Sequence, residues 1–348
     1  MFTKLLLFFL LITQSLCFRF NNKSIFDKLI MTKIVNNKLL DNKLSNNEIS
    51  HQKLDIVENK MKSFMKLIRY NNILPTFLLN FSGGFIINPS INNLLHNKDF
   101  LLSSIITSLI MSTSMIINDI NDIKIDKINN KDRPLVTGKI TRSEAIASVI
   151  FLSIIIEYLN LFLSTNLQII PHISLFLIYI YTPIIKKIFL IKNLFCAFLV
   201  SFSIFFSGLS TSSSFLIHNK NYELFLIELS LIFVGSLYNE ILLDITDITG
   251  DKKNKIYTIP VIFGKKNALI FGCLILLYNI ISSFFMLSSI IDIKYAIILQ
   301  LIFIPFIYDL YIIFNNNFDD NKIKKAVKNT NIPLFLSIIY ICLLQFVI

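Results

Sequence analysis

Nine stretches of this 348-residue chain are apolar over about the length that crosses a bilayer: 73–91, 100–118, 144–164, 167–185, 189–211, 223–243, 267–289, 295–314 and 332–348. Roughly 17 to 25 apolar residues in helical form span a hydrocarbon core. Within that core each backbone N–H and C=O must be satisfied inside its own segment, and a helix does this unaided. The expectation is an all-α integral membrane protein with nine transmembrane helices. Composition agrees, since charged residues make up 16% of the chain against the roughly 25% of a soluble domain.

A formal net charge of +11 invites a nucleic-acid reading. The basic residues, however, sit in short loops between apolar stretches rather than on one soluble face, so no nucleic-acid partner is expected and the lipid bilayer is. Loops after the second, fourth, sixth and eighth stretches hold Lys124, Lys127, Lys131, Arg133, Lys186, Lys187, Lys252, Lys253, Lys265, Lys266, Lys322 and Lys324 among others. The opposite loops hold only Lys98, Lys220 and Lys294. This is the positive-inside pattern. Four complete crossings separate the ends of the second and sixth stretches, so both open on the same, basic side.

The N-terminus reads as an address. Residues 1–17 carry a Lys, an apolar run and small residues near Cys17, as a signal peptide does, and residues 18–62 are basic and Asn-rich like a transit peptide. Together they point to a plastid (apicoplast-like) membrane reached through the secretory route, with an endomembrane or the mitochondrial inner membrane as alternatives. The membrane domain would then occupy residues 63–348. An uncleaved first helix followed by a linker is the competing reading.

Two acidic groups flank this membrane core. Asn118, Asp122 and Asp126 recur at i, i+4 and i+8, with Asp119 at the edge, so a helix continuing past the second stretch shows them on one face. Glu240, Asp244, Asp247 and Asp251 follow at intervals of four, three and four. Carboxylates gathered near a bilayer repel one another unless protonated or bridged by cations. Asp and Asn oxygens suit Mg²⁺, which takes one or two carboxylates and completes its shell with water and phosphate. Lys127, Lys131 and Arg133 follow the first group and Lys252 and Lys253 the second, as oxygens beyond the metal's reach require. The pair therefore reads as a magnesium clamp for a diphosphate.

The same residues resemble the two signature motifs of the UbiA-type membrane prenyltransferases, NDxxDxxxD and DxxDxxxD. They stand here as Asn118-Asp119-x-x-Asp122-x-x-x-Asp126 and Asp244-x-x-Asp247-x-x-x-Asp251. "DKINNKDRPLVTGKIT", "GDKKNKIYTIPVIFGKK", "LIRYNNILP" and "YTPIIKK" extend the likeness over residues 63–348. Departures are Asn130-Lys131, Asn239 and Asn254-Lys255. The resemblance implies nine helices around a central cavity and transfer of a prenyl group, geranylgeranyl or longer, from its diphosphate to a lipophilic acceptor. It further implies Mg²⁺ held by Asn118, Asp122 and Asp126 and by Asp247 and Asp251, with Asp244 a further ligand or acceptor-side carboxylate. Arg69, Asn72, Lys127, Arg133, Lys186 and Lys252 would bind substrate. The form of the second motif favours a homogentisate-like or other quinone-precursor acceptor, with a geranylgeranylglycerol-phosphate type as alternative.

Other readings predict other placements. A cation-coupled transporter holds its acids at mid-bilayer on broken helices, whereas these follow helix ends. A soluble prenyl diphosphate synthase also pairs Asp motifs, without nine spanning stretches. Glu157 and Asp309, inside apolar stretches and away from both motifs, are expected to form interhelical hydrogen bonds, and His172 to be a satisfied interfacial residue. The cysteines are scattered without metal-type spacing.

Overall fold

The computed structural model describes residues 58–181, 184–211, 220–253 and 256–348. Residues 62–348 form one compact unit. The presequence readings fall almost wholly on residues 1–57, outside the described residues.

All regular elements among the described residues are helical. Besides helical residues 58–67 and the 3-10 turns Tyr70–Asn72 and Ile185–Lys187, they are α1 (Ile73–Ile87), α2 (Ile91–His96), α3 (Lys98–Asn121), α4 (Ile123–Asn129), α5 (Arg142–Asn160), α6 (Ile169–Tyr181), α7 (Ile191–Thr211), α8 (Lys220–Lys253), α9 (Ile259–Ile290), α10 (Ile293–Ile302), α11 (Ile304–Asn315), α12 (Asp320–Asn329) and α13 (Asn331–Leu344).

Each apolar stretch lies on helix, but among the described residues seven spans, not nine, are long and apolar enough to cross a membrane. They are α3, α5, α7, α8, α9, α10 with α11, and α12 with α13. The other two stretches form α1, of 15 residues, and α6, of 13. At 1.5 Å per residue these reach only about 22 and 20 Å, short of a roughly 30 Å core. Pro89 accounts for the early end of α1: the residue before a proline is driven out of the helical region, and Asn88 is extended at φ −129°, ψ 91°.

Local sequence sets several of the helix starts. Thr141 Oγ1 accepts from Glu144 N–H while Glu144 accepts from Thr141 N–H, a reciprocal cap on α5 worth about 1 kcal/mol. Asn97 caps α3, and Asp99 in its first turn accepts from Ser164 N–H at 3.0 Å and from its hydroxyl, tying α3 to the α5–α6 turn. The outward faces of α5 and α9 leave Phe151, Ile154, Tyr278 and Phe285 more than half exposed, an apolar surface suited to lipid.

α1 lies at the centre, with α3, α7, α8 and α13 packed on it. Its approach to α7 needs Gly83, where a Cβ would meet the carbonyl oxygen of Ile204 at 2.4 Å. α8 packs along α7 and α9. Its 34 residues run about 51 Å, well beyond the hydrocarbon thickness, so its last turns stand clear of the core and carry the second acidic group. Away from that end, Glu157 accepts from His172 between α5 and α6 at 3.0 Å, and Asp309 accepts from Asn329 between α11 and α12 at 3.0 Å. Asn160 contacts the other ring nitrogen of His172 at 3.1 Å.

Candidate active site

α3 carries Asn118 and Asp119, then breaks at Asp122 (φ −92°, ψ 6°) before α4 resumes. The straight helix expected from the spacing is therefore kinked. Its hydrogen bonds survive, because Asp122 N–H still reaches Asn118 O at 2.9 Å and Asp126 N–H reaches Asp122 O at 2.8 Å. The i, i+4, i+8 register is thus kept through the break. Lys186, from the segment between α6 and α7, donates to Asn118 Oδ1 at 3.3 Å and to Asp122 Oδ2. Asn130 donates to Asp126 Oδ1 at 3.0 Å. Burial raises the Asp126 carboxyl above the ordinary carboxylate value, opposed by that amide and by Arg133.

Asp119 points elsewhere. It is 1% exposed and lies between two guanidinium groups, Arg69 Nη2 at 3.2 Å and Arg133 Nη1 at 3.4 Å. Burial and the neighbouring Arg133 lower the Arg69 guanidinium from its ordinary value, and Asp119 pulls it back.

The second motif rides on unbroken helix, and α8 ends at Lys253. Asp244 is buried with both oxygens engaged: Asn193 donates to Oδ2 at 2.8 Å and Lys192 to Oδ1. Asp247 is half-buried, and Asp251 is buried with Oδ2 lacking a hydrogen-bond partner among the described residues.

These two regions meet. The end of α8 packs on α4, so closely that a Cβ on Gly250 would fall 2.3 Å from Asn129 Nδ2. Lys186, bonded to the first motif, also acts electrostatically on Asp247 and Asp251. The structure thus gathers Asn118, Asp122, Asp126, Asp244, Asp247 and Asp251 with Arg69, Arg133 and Lys186 at one mouth.

Asn72, Lys127 and Lys252 are not brought in. All three are exposed, with no hydrogen bond or ion pair to the acids among the described residues. Adjacent residues on a helix diverge by about 100°, so Lys127 and Lys252 face away from the acids they follow. Conversely, Lys192 and Asn193 escape a reading that places them inside the fifth apolar stretch. The available signal is the cost of a lysine in such a stretch, which demands an anionic partner.

The donor atoms on both acid faces are all oxygen, and among the described residues Asp251 Oδ2 is a buried acceptor without a partner. No three Asp, Glu, His or Cys side chains among the described residues converge as a ready-made metal cage. Magnesium rarely uses one, taking one or two carboxylates with water and substrate phosphate oxygens. The set fits that ion.

Comparison with known proteins agrees with this geometry. The UbiA prenyltransferase family model matches residues 77–339. Digeranylgeranylglyceryl phosphate synthase of Methanosphaera stadtmanae is 28% identical over 280 residues, 80% of this chain and 98% of that protein. The Saccharolobus solfataricus protein of the same name is 34% identical over 250 residues, 71% of this chain and 84% of its own. A solved structure concerning digeranylgeranylglyceryl phosphate synthase in membranes superposes with a TM-score of 0.59 at 27% identity, covering 80% of this chain and 97% of that one. A UbiA homolog from Archaeoglobus fulgidus bound to GPP and Mg²⁺ shares the fold, with a TM-score of 0.58 at 19% identity over 80% of this chain and 98% of that one. The named organisms are archaea, which lends the plastid address no support.

Paired acidic motifs at one mouth of a helical membrane bundle, and a family match spanning most of the chain, lead to one conclusion: the chain belongs to the UbiA prenyltransferase family and is a membrane prenyltransferase.

Proposed function

We propose that the chain moves a geranylgeranyl-class group from its diphosphate to the free hydroxyl of a prenylated glycerol phosphate, with Mg²⁺ as cofactor. The observation that carries this reading is the juxtaposition of the two motifs with Arg69, Arg133 and Lys186. The acceptor class rests on the relatives named digeranylgeranylglyceryl phosphate synthase, and it replaces the homogentisate-like acceptor expected from the second motif's form. α1 and α6 would complete nine crossings in a bilayer thinned around the bundle.

In this reading Asn118, Asp122 and Asp126 hold one ion and Asp247 and Asp251 the other. Bound Mg²⁺ supplies charge neutralisation for the departing diphosphate. Arg69 and Arg133 bind its remaining oxygens. Lys186 exchanges Asp122 for a diphosphate oxygen. As the C1–O bond to diphosphate breaks, the acceptor hydroxyl oxygen bonds to C1 and its proton passes to the departing diphosphate. Asp244, already engaged by Lys192 and Asn193, lines the acceptor side with a fixed charge rather than holding metal.

The test is direct. Purified protein with Mg²⁺ and geranylgeranyl diphosphate is given geranylgeranylglyceryl phosphate or homogentisate, and products are identified by mass spectrometry. A doubly prenylated glycerol phosphate is the expected product. Transfer to homogentisate alone overturns the acceptor.

A further inference from the structure

Asp119 is the second letter of the first motif, yet it lies off the face formed by Asn118, Asp122 and Asp126. Its carboxylate is 1% exposed and spent on two arginines, with Arg69 Nη2 at 3.2 Å from Oδ1 and Arg133 Nη1 at 3.4 Å from both oxygens. One negative charge between two positive ones leaves a net charge of about +1, and the guanidinium side chains keep 28% and 23% of their surface open. Nε of Arg69 is buried without a hydrogen-bond partner among the described residues. Donor capacity beyond what Asp119 consumes therefore remains on this pair.

The two arginines come from separate segments that are braced against each other. Arg69 adopts left-handed backbone, φ 49° and ψ 55°, where the chain turns into residues Tyr70–Asn72. Such a conformation is uncommon for a residue with a side chain and persists where its surroundings hold it. Three residues earlier, Lys66 donates to the carbonyl of Asp132 at 2.8 Å, the residue before Arg133. The turn holding Arg133 is closed by Val136 N–H and Thr137 N–H on the Arg133 carbonyl, at 3.0 and 2.9 Å. Asp119 and the Asp132 carbonyl thus join the two segments at two points.

We propose that Asp119 is a positioning residue that fixes Arg69 and Arg133 as a two-armed fork for the donor's diphosphate, and that it holds no metal. The inference rests on the reading of this mouth as a diphosphate site. Arginine pairs bind diphosphate well only when both planes are held, since each guanidinium otherwise loses rotamer freedom on binding. A buried carboxylate shared by both arms removes that loss beforehand.

The test uses the full-length protein in nanodiscs, with inorganic diphosphate as the binding probe and Mn²⁺ as the metal probe. Asp119→Asn should weaken inorganic diphosphate binding in calorimetry by about tenfold or more, and raise KM for prenyl diphosphate similarly with kcat changed less than about threefold. Mn²⁺ affinity by electron paramagnetic resonance should stay at the wild-type value, whereas Asp122→Asn lowers it. In a double-mutant cycle, Arg69→Gln should cost much less in the Asp119→Asn background than alone. Should Asp119→Asn fail to fold, Asp119→Glu keeps the charge, lengthens the arm, and should give the same split between KM and Mn²⁺ affinity. A fall in Mn²⁺ affinity with unchanged diphosphate binding overturns the proposal, as do fully additive losses with Arg69→Gln. Failure of the transfer reading shows separately, as wild-type protein that binds inorganic diphosphate but makes no prenylated product.

Discussion

The two acidic motifs share a spacing and differ in state. In the first, protein cations occupy much of the available oxygen: Arg69 and Arg133 on Asp119, and Lys186 on Asp122 and Asn118. In the second, among the described residues, Asp244 is engaged by Lys192 and Asn193, while one buried oxygen of Asp251 has no hydrogen-bond partner. Equal letters at equal intervals therefore do not carry equal duties. In each motif the leading carboxylate, Asp119 or Asp244, is buried and held by protein cations, whereas the later acids carry a single lysine or amide partner or, at one oxygen of Asp251, none among the described residues. That division follows from desolvation, which penalises an unpaired carboxylate more the deeper it lies.

The largest expected effect tests the open half. Asp247→Asn should reduce prenyl transfer by about 10³-fold, the scale of losing a central electrostatic contact in a transition state, measured as diphosphate release per enzyme. A loss below tenfold would break the assigned asymmetry between the second motif's outer and leading acids. Next comes the engaged half. Lys192→Met leaves Asp244 without its cation and should destabilise the fold by about 3–5 kcal/mol, read as a lowered thermal midpoint in detergent. Lys192→Arg should restore most of that stability.

A smaller effect is expected where the motifs touch. Gly250→Ala forces the Asn129 side chain aside and should cost about 1–3 kcal/mol of stability, with Asn129→Ala in the same chain relieving it in the same melting experiment. The smallest effect sharpens the comparison from outside: Lys127→Ala and Lys252→Ala should each leave KM for prenyl diphosphate within about twofold, since exposed charges contribute little. A tenfold rise in either would place that lysine on the substrate.

Much of this was legible in the sequence because periodicity and charge sidedness are local properties. The apolar stretches foretold the helices, and loop lysines foretold that the ends of α3 and α8 share a side. The span at α1 read long because hydropathy does not register where Pro89 ends a helix. The break at Asp122 was hidden because its i→i+4 bonds, and hence the spacing, are intact. Pairings across the fold were the least visible. Nothing local joins Arg69 to Asp119 or Lys192 to Asp244, and the lysines adjacent in sequence to the acids, Lys127 and Lys252, are the ones that point away. On the acceptor, the form of the second motif and the names of the relatives point to different classes.

The two arginines on Asp119 also bear on the order of synthesis. Arg69, Asp119 and Arg133 are all synthesised before Lys186, Lys192 or any of α8. The buried acid at the end of α3 can thus meet both of its arginines while the nascent chain is still short. A chain ending after α5 should then integrate α3 fully in a glycosylation-mapping assay, and the same chain with Arg69→Gln and Arg133→Gln should integrate it poorly.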